Sequence, residues 1–226
     1  MMDDQHEYLQ RGATCVRGLY PRELVDALAF QLSLQVKGRG KAMLAPPTIG
    51  NKPCYEGYGY QSPALLTFLW GLTPRVALMA GEPILPTYAY FRTYQKGDIC
   101  RVHCDRPACE HSVSLTLAYS DDIPWALEVG SKPVPENQRG TKRGDDDFGA
   151  DESTAFSMAP GDAVFYHGVE FMHGRTRPNP NRWSLHLFMH WVSRNGPYAS
   201  QAFDGQPVHG KVDFDFPGEP HPAGAL

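Results

Sequence analysis

The chain has no large excess of either charge, no long hydrophobic run and no even set of cysteines. Its 21 basic and 25 acidic residues leave a net charge of −4 over 226 residues, against a strongly basic nucleic-acid binder. The longest mostly apolar run, 64–72, is too short to cross a bilayer. The first seven residues are polar and acidic, so no secretory signal is expected. Five cysteines are an odd number, and no Cys-x-x-Cys pair occurs among them. Together these features predict a soluble, cytoplasmic protein with reduced thiols. Glycine (22) and proline (20) make the chain rich in turns, yet short of the share that marks disorder. No internal repeat is present.

What is there divides into a helical and a β-rich part. Pro21 suits a helix start, and Leu24, Val25, Leu28 and Leu32 form a stripe of helical period before Gly38. A second helix is expected from Ser62 and Pro63, interrupted at Gly71 and restarted at Thr73 and Pro74. From Ile84 onward the pattern changes to short strands, with candidates at 88–94, 99–105, 112–119, 125–129, 163–167 and 182–193. Residues 130–153 have a basic and an acidic half and read as a solvated excursion. The tail, 196–226, reads as an extended wrap or as disordered. With no linker visible, the expectation is one α+β, mainly β domain over 1–226: a helical layer over 1–83 and a sandwich or barrel over about 84–193.

The densest chemical cluster is Cys100-Arg101-Val102-His103-Cys104-Asp105. Strand alternation puts His103 and Asp105 on one face, where an imidazole and a carboxylate can grip one cation. Farther on come His167 and His173, six residues apart and rivals for a third ligand, with His173 favoured. On the strand from Arg182, alternation groups Arg182, Ser184, His186 and Phe188, and an Arg beside a hydroxyl can clamp a small carboxylate. His186 and His190 read as core histidines before pocket residues. Arg92, Arg101, Arg175, Arg177 and Glu128 are candidates for the pocket mouth, and so many arginines suggest an anionic or polar substrate. Cys100, Cys104 and Cys109, with His103 and His111, leave a zinc knuckle as one alternative and a non-catalytic metal-binding β-barrel as another.

These residues resemble the 2-oxoglutarate- and Fe(II)-dependent dioxygenases, and within them the prolyl-hydroxylase-like branch. The resemblance covers about 84–193 and rests on His103-x-Asp105, the distal His173, and Arg182-x-Ser184 nine residues after it. Tyr94, nine residues before His103, and Tyr119, sixteen after it, also match. The chain departs from the branch after Tyr119, where a Gly-Gly-Glu-Thr-like stretch gives way to Trp125-Ala126-Leu127-Glu128-Val129. The resemblance implies a double-stranded β-helix, a jelly-roll of cupin type. It implies iron held by His103, Asp105 and His173, and 2-oxoglutarate held by Arg182 and Ser184 with Tyr94 and Tyr119. It further implies dioxygen as cosubstrate, ascorbate as a reductant, and hydroxylation of a small-molecule or peptidyl C–H bond with release of succinate and CO2. An intact Asp105 disfavours a halogenase, which leaves that ligand position open. Neither nucleic acid nor membrane is an expected partner.

Overall fold

The structure, a computed structural model, describes residues 2–140 and 144–206. Helices occupy the N-terminal part, as the apolar spacing predicts. Helix α1 (Met2–Arg11) has Asp3 and Asp4 in its first turn and Arg11 in its last, charges that complement the helix dipole. Helix α2 (Arg22–Arg39) buries Val25, Leu28 and Leu32 and passes Gly38, ending at Gly40 with φ 53°. Helix α3 (Pro63–Ala80) runs unbroken through Gly71 and Pro74, against the expected interruption. An internal proline costs about 3 kcal/mol. Leu65, Leu69, Leu72, Val76 and Met79 are all buried on one side of this helix, each worth about 2 kcal/mol, and that burial wins. At 18 residues and a mean hydropathy of 1.3, α3 is long and apolar enough to cross a membrane. Here its buried face is part of the main core.

The described residues form eleven strands: β1 (Ala13–Val16), β2 (Leu44–Ala45), β3 (Cys54–Tyr58), β4 (Ile84–Gln95), β5 (Cys100–His103), β6 (His111–Tyr119), β7 (Leu127–Pro133), β8 (Ser153–Phe156), β9 (Ala163–Tyr166), β10 (Phe171–Arg175) and β11 (Trp183–Ser193). Strands β4, β5, β6, β7, β9 and β11 answer the six candidates, whereas β8, β10 and the three strands within 1–83 were not expected. They form a seven-stranded sheet, β1-β9-β6-β11-β4-β3-β2, and a four-stranded sheet, β5-β10-β7-β8. From β4 to β11 the chain passes back and forth between the two sheets, which makes a double-stranded β-helix. Period-two alternation sorts the large sheet's side chains. Ala89, Phe91, Leu115, Leu117, Leu185 and Leu187 pack outward against the helices. The alternate residues, including Tyr90, Tyr94 and Phe188, turn inward toward the small sheet, where Cys100 joins them.

Two excursions touch the barrel. Residues 130–153, read as solvated, are mostly exposed where described, yet Asp145 bridges to Val102 of β5 and Arg101 Nε pairs with Asp146 at 2.9 Å. The positions 141–143 lie outside the described residues. Of the tail, Ala199–Gly205 forms 3-10 turns tied to the barrel by Arg106 and Asp204 at 2.6 Å. The remainder of the tail, 207–226, lies outside the described residues.

A buried polar cluster pins α1 to the large sheet. Tyr8 Oη donates to His111 Nδ1 at 2.7 Å, and His111 Nε2 bonds Ser193 Oγ at 3.1 Å. Ser193 Oγ in turn donates to Glu82 at 2.7 Å, and His167 stacks on Tyr8 at 4.4 Å. Burial pushes His111 down to about 4, and burial with the nearby His111 pushes His167 down to about 3. A histidine held neutral by the fold stabilises it fully above the unfolded pKa, and that stability is lost as pH falls toward the folded value. Denaturant midpoints should therefore drop between about pH 6.5 and 4, with His111 alone contributing a loss of about 2 kcal/mol by about pH 5. In His111→Phe the slope of stability against pH should flatten; an unchanged slope would show that other groups set it.

Candidate active site

Three ligand-type side chains meet between the sheets. His103 ends β5, His173 lies in β10, and the two are register partners across the antiparallel pair. Asp105 follows two residues after His103, where its backbone N–H donates to Gly168 O at 2.8 Å. His103 Nε2 lies 3.4 Å from Asp105 Oδ1, and His173 Nε2 lies 3.4 Å from Asp105 Oδ2. Ligand atoms of all three fall within 4.8 Å of one another. Each ring is oriented from behind: His103 Nδ1 donates to Arg101 O at 2.6 Å, and His173 Nδ1 donates to Phe171 O at 3.0 Å. Those bonds place an N–H at each Nδ1 against a backbone carbonyl and turn both Nε2 atoms toward the carboxylate.

The backbone makes this approach possible through two glycines. A Cβ on Gly174 would lie 2.8 Å from Cys100 O, so only glycine lets β10 come this close to β5. A Cβ on Gly168 would meet Asp105 Oδ2 at 2.6 Å. Burial opposes ionisation of Asp105, but the charge of His173 and hydrogen bonds from both histidines outweigh it and hold the carboxyl well below its ordinary value. Burial likewise lowers His173 while Asp105 raises it, with a net upward shift.

His167, the rival third ligand, lies with Tyr8 and His111 instead. The cysteines do not gather. Among the described residues Cys100 and Cys104 join no group of metal-ligating side chains, and Cys109 meets only Asp105 and His190. None of the five cysteines is in a disulfide.

At one end of the interior lies a buried guanidinium. Residues 171–175 are a strand that was not among the expected ones, and Arg175 shares the face of His173, two residues on. Arg175 is 1% exposed; it donates to Trp125 O, approaches His186 Nδ1 at 3.4 Å and lies 4.8 Å over the Trp125 ring. No carboxylate among the described residues pairs with it within 4.0 Å. Tyr94 and Tyr119 stand nearby, their rings 5.9 and 5.8 Å from that of His186. Tyr119 Oη also accepts Trp125 N–H at 3.2 Å.

Arg182 lies apart from these groups. The alternation that groups it with Ser184 holds only inside a strand, and β11 begins at Trp183. The Arg182 side chain is 72% exposed and reaches Asp121 at 3.5 Å. Ser184 is buried as expected, but its Oγ accepts from Asn179 Nδ2 at 3.1 Å. The other arginines at the barrel are also engaged or exposed: Arg92 pairs with Glu56, Arg101 with Asp146, and Arg177 faces outward. Glu128 accepts from Thr176 N and Oγ1.

Three buried polar atoms of the large sheet have no hydrogen-bond partner: His186 Nε2, His190 Nε2 and Ser114 Oγ. Burial, then the Arg175 charge, holds His186 well below its ordinary pKa, and burial pushes His190 down to about 4. The site therefore combines a ligand set for a divalent cation, a buried guanidinium with no carboxylate partner among the described residues, and buried imidazole nitrogens that no protein group engages.

No family model matches the chain, and no curated protein is similar to it in sequence. In fold it is of one kind with solved 2-oxoglutarate-dependent oxygenases. A prolyl-4-hydroxylase from Pseudomonas putida superposes with a TM-score of 0.61 at 18% identity, covering 86% of this chain and 99% of that one. The α-ketoglutarate-dependent carbocyclase SnoK of nogalamycin biosynthesis gives 0.70 at 12% identity, covering 93% and 94%. HygX from Streptomyces hygroscopicus, solved with nickel, 2-oxoglutarate and hygromycin B bound, gives 0.63 at 11% identity, covering 86% and 88%.

Proposed function

We propose that this protein is an Fe(II)- and 2-oxoglutarate-dependent oxygenase that hydroxylates a C–H bond of a small molecule. The observation that carries the proposal is the convergence of His103 Nε2, Asp105 and His173 Nε2 inside a double-stranded β-helix. Two histidines and one carboxylate are the donor set of non-haem iron oxygenases. When bound there, iron supplies the redox chemistry that couples dioxygen to decarboxylation of 2-oxoglutarate, giving succinate and CO2, and to oxidation of substrate.

The chain's own residues do the holding and orienting. Arg101 O and Phe171 O keep the two imidazoles turned so that Nε2 faces the metal position. Arg175, buried without a carboxylate, takes the distal carboxylate of 2-oxoglutarate, a charge-assisted contact at its strongest where water is excluded. Tyr94, Tyr119, Trp125 and His186 wall that end, and His186 Nε2 has a free position for a cosubstrate oxygen or a water. Arg182 is left outside this assignment, and Ser184 serves through Asn179 to hold the 176–181 turn. A cytoplasmic location goes with the proposal, on the odd count of thiols. Hydroxylation is the simplest outcome, although SnoK with this fold is a carbocyclase. The test is iron-dependent formation of succinate from 2-oxoglutarate under air. Turnover that needs both iron and dioxygen supports the proposal; iron uptake with no succinate contradicts it.

A further inference from the structure

The end of the barrel opposite Arg175 carries its own hydrogen-bond logic. His190 is 1% exposed, on the same face of β11 as His186, and a ligand atom of its ring lies within 4.8 Å of ligand atoms of Asp105 and Cys109. Its Nδ1 lies 2.9 Å from Ser112 Oγ. The other neighbours of that hydroxyl are Cys109 O at 3.1 Å and Asp105 Oδ2 at 3.5 Å, both able only to accept. Donation to His190 would turn the hydroxyl lone pairs onto these two acceptors, so the single proton goes to one of them and Ser112 Oγ accepts from His190 Nδ1–H. In a neutral imidazole the other nitrogen is then a bare acceptor. That atom, His190 Nε2, is buried and without a partner, a state that costs free energy until a donor fills it.

The surroundings say what kind of molecule brings the donor. Tyr88 lies 4.6 Å from the His190 ring, Tyr90 lies 4.9 Å from Phe188, and Tyr58 stacks on Tyr90 at 5.4 Å. Such a wall packs against the face or edge of a ring. The charged groups there are already matched: Arg106 pairs with Asp204 at 2.6 Å while lying 4.3 Å over the Tyr88 ring, and Asp105 belongs to the metal triad. We infer that the prime substrate is a neutral ring compound that donates a hydroxyl or N–H hydrogen bond to His190 Nε2. The inference rests on the oxygenase reading and narrows it: the ring of a peptidyl proline offers no such donor, and an anionic group, which the many arginines suggested, meets no unpaired cation at this end among the described residues.

The test uses the full chain, labelled with 15N-histidine, loaded with Zn(II) in place of iron and with 2-oxoglutarate. His190 resonances are assigned by their loss in His190→Phe. The expected result is an Nδ1–H ring whose Nε2 resonance moves on titration with cyclohexanol. Methoxycyclohexane, the same ring without a donor, should bind at least about fivefold more weakly, and His190→Phe should bring the two probes to within about twofold. A His190 ring protonated on Nε2 would overturn the inference. So would equal binding of alcohol and ether to the parent protein, or no movement with the alcohol, which would mean that water alone fills the position. Failure of the oxygenase reading looks different: the His103 and His173 resonances would not respond to Zn(II), or 2-oxoglutarate would not bind.

Discussion

Replacing Arg175 by alanine should weaken 2-oxoglutarate binding by on the order of a hundredfold or more, with the metal still bound. A buried guanidinium facing a carboxylate is a charge-assisted pair, and truncating one side costs about 2–5 kcal/mol, or about 30- to several-thousandfold. Arg175→Lys should recover part of the loss, because an ammonium lacks the planar fork. Arg182→Ala, removing a 72% exposed side chain paired only at 3.5 Å with Asp121, should leave the affinity within about twofold, since exposed pairs contribute little. Calorimetry of 2-oxoglutarate binding to the nickel-loaded protein reads all three, and retained nickel certifies the fold of each variant. Should Arg182→Ala be the variant that loses cosubstrate, the clamp lies at the start of β11 after all.

Removing either Asp105 or His173 should abolish metal binding at stoichiometric concentration and all turnover with it. Three ligands set the affinity, and the carboxylate is the only anionic one among them. Asp105→Asn is the sharper variant, because it keeps the shape of the side chain while removing the charge that both histidines face at 3.4 Å. His167→Ala, which touches Tyr8 rather than the triad, should keep its metal and lose stability instead. Metal content after gel filtration decides the matter: an Asp105→Asn protein that retains a full equivalent would place the metal elsewhere.

How much of this was legible in the sequence depends on the range of the interaction. The triad was, because two-residue alternation and residue chemistry are local, and only a few histidines competed for the third position. The double-stranded β-helix followed from that pattern, yet only as a resemblance. Arg175 was placed at the pocket mouth and not in the clamp, because 171–175 was not among the expected strands. Taken as a strand, the same alternation that pairs His103 with Asp105 would have put Arg175 beside His173. For Arg182 the alternation was carried one residue past the start of β11, and its side chain stands exposed beside Asp121. Helix α3 shows tertiary burial overriding local signals, since Gly71 and Pro74 read as an interruption and a restart while five buried side chains carry one helix through both. The His190 acceptor was beyond reach, because its tautomer depends on Ser112 and on carbonyl and carboxylate groups brought together only by the fold.

The most direct measurement is a crystal structure of the protein grown anaerobically with nickel and 2-oxoglutarate. The account predicts the metal on His103 Nε2, Asp105 and His173 Nε2, with the distal carboxylate of 2-oxoglutarate against the Arg175 guanidinium and beside Tyr94, Tyr119 and His186. A distal carboxylate seated on Arg182, or a metal held by His167 or by Cys109 in place of His173, would contradict it.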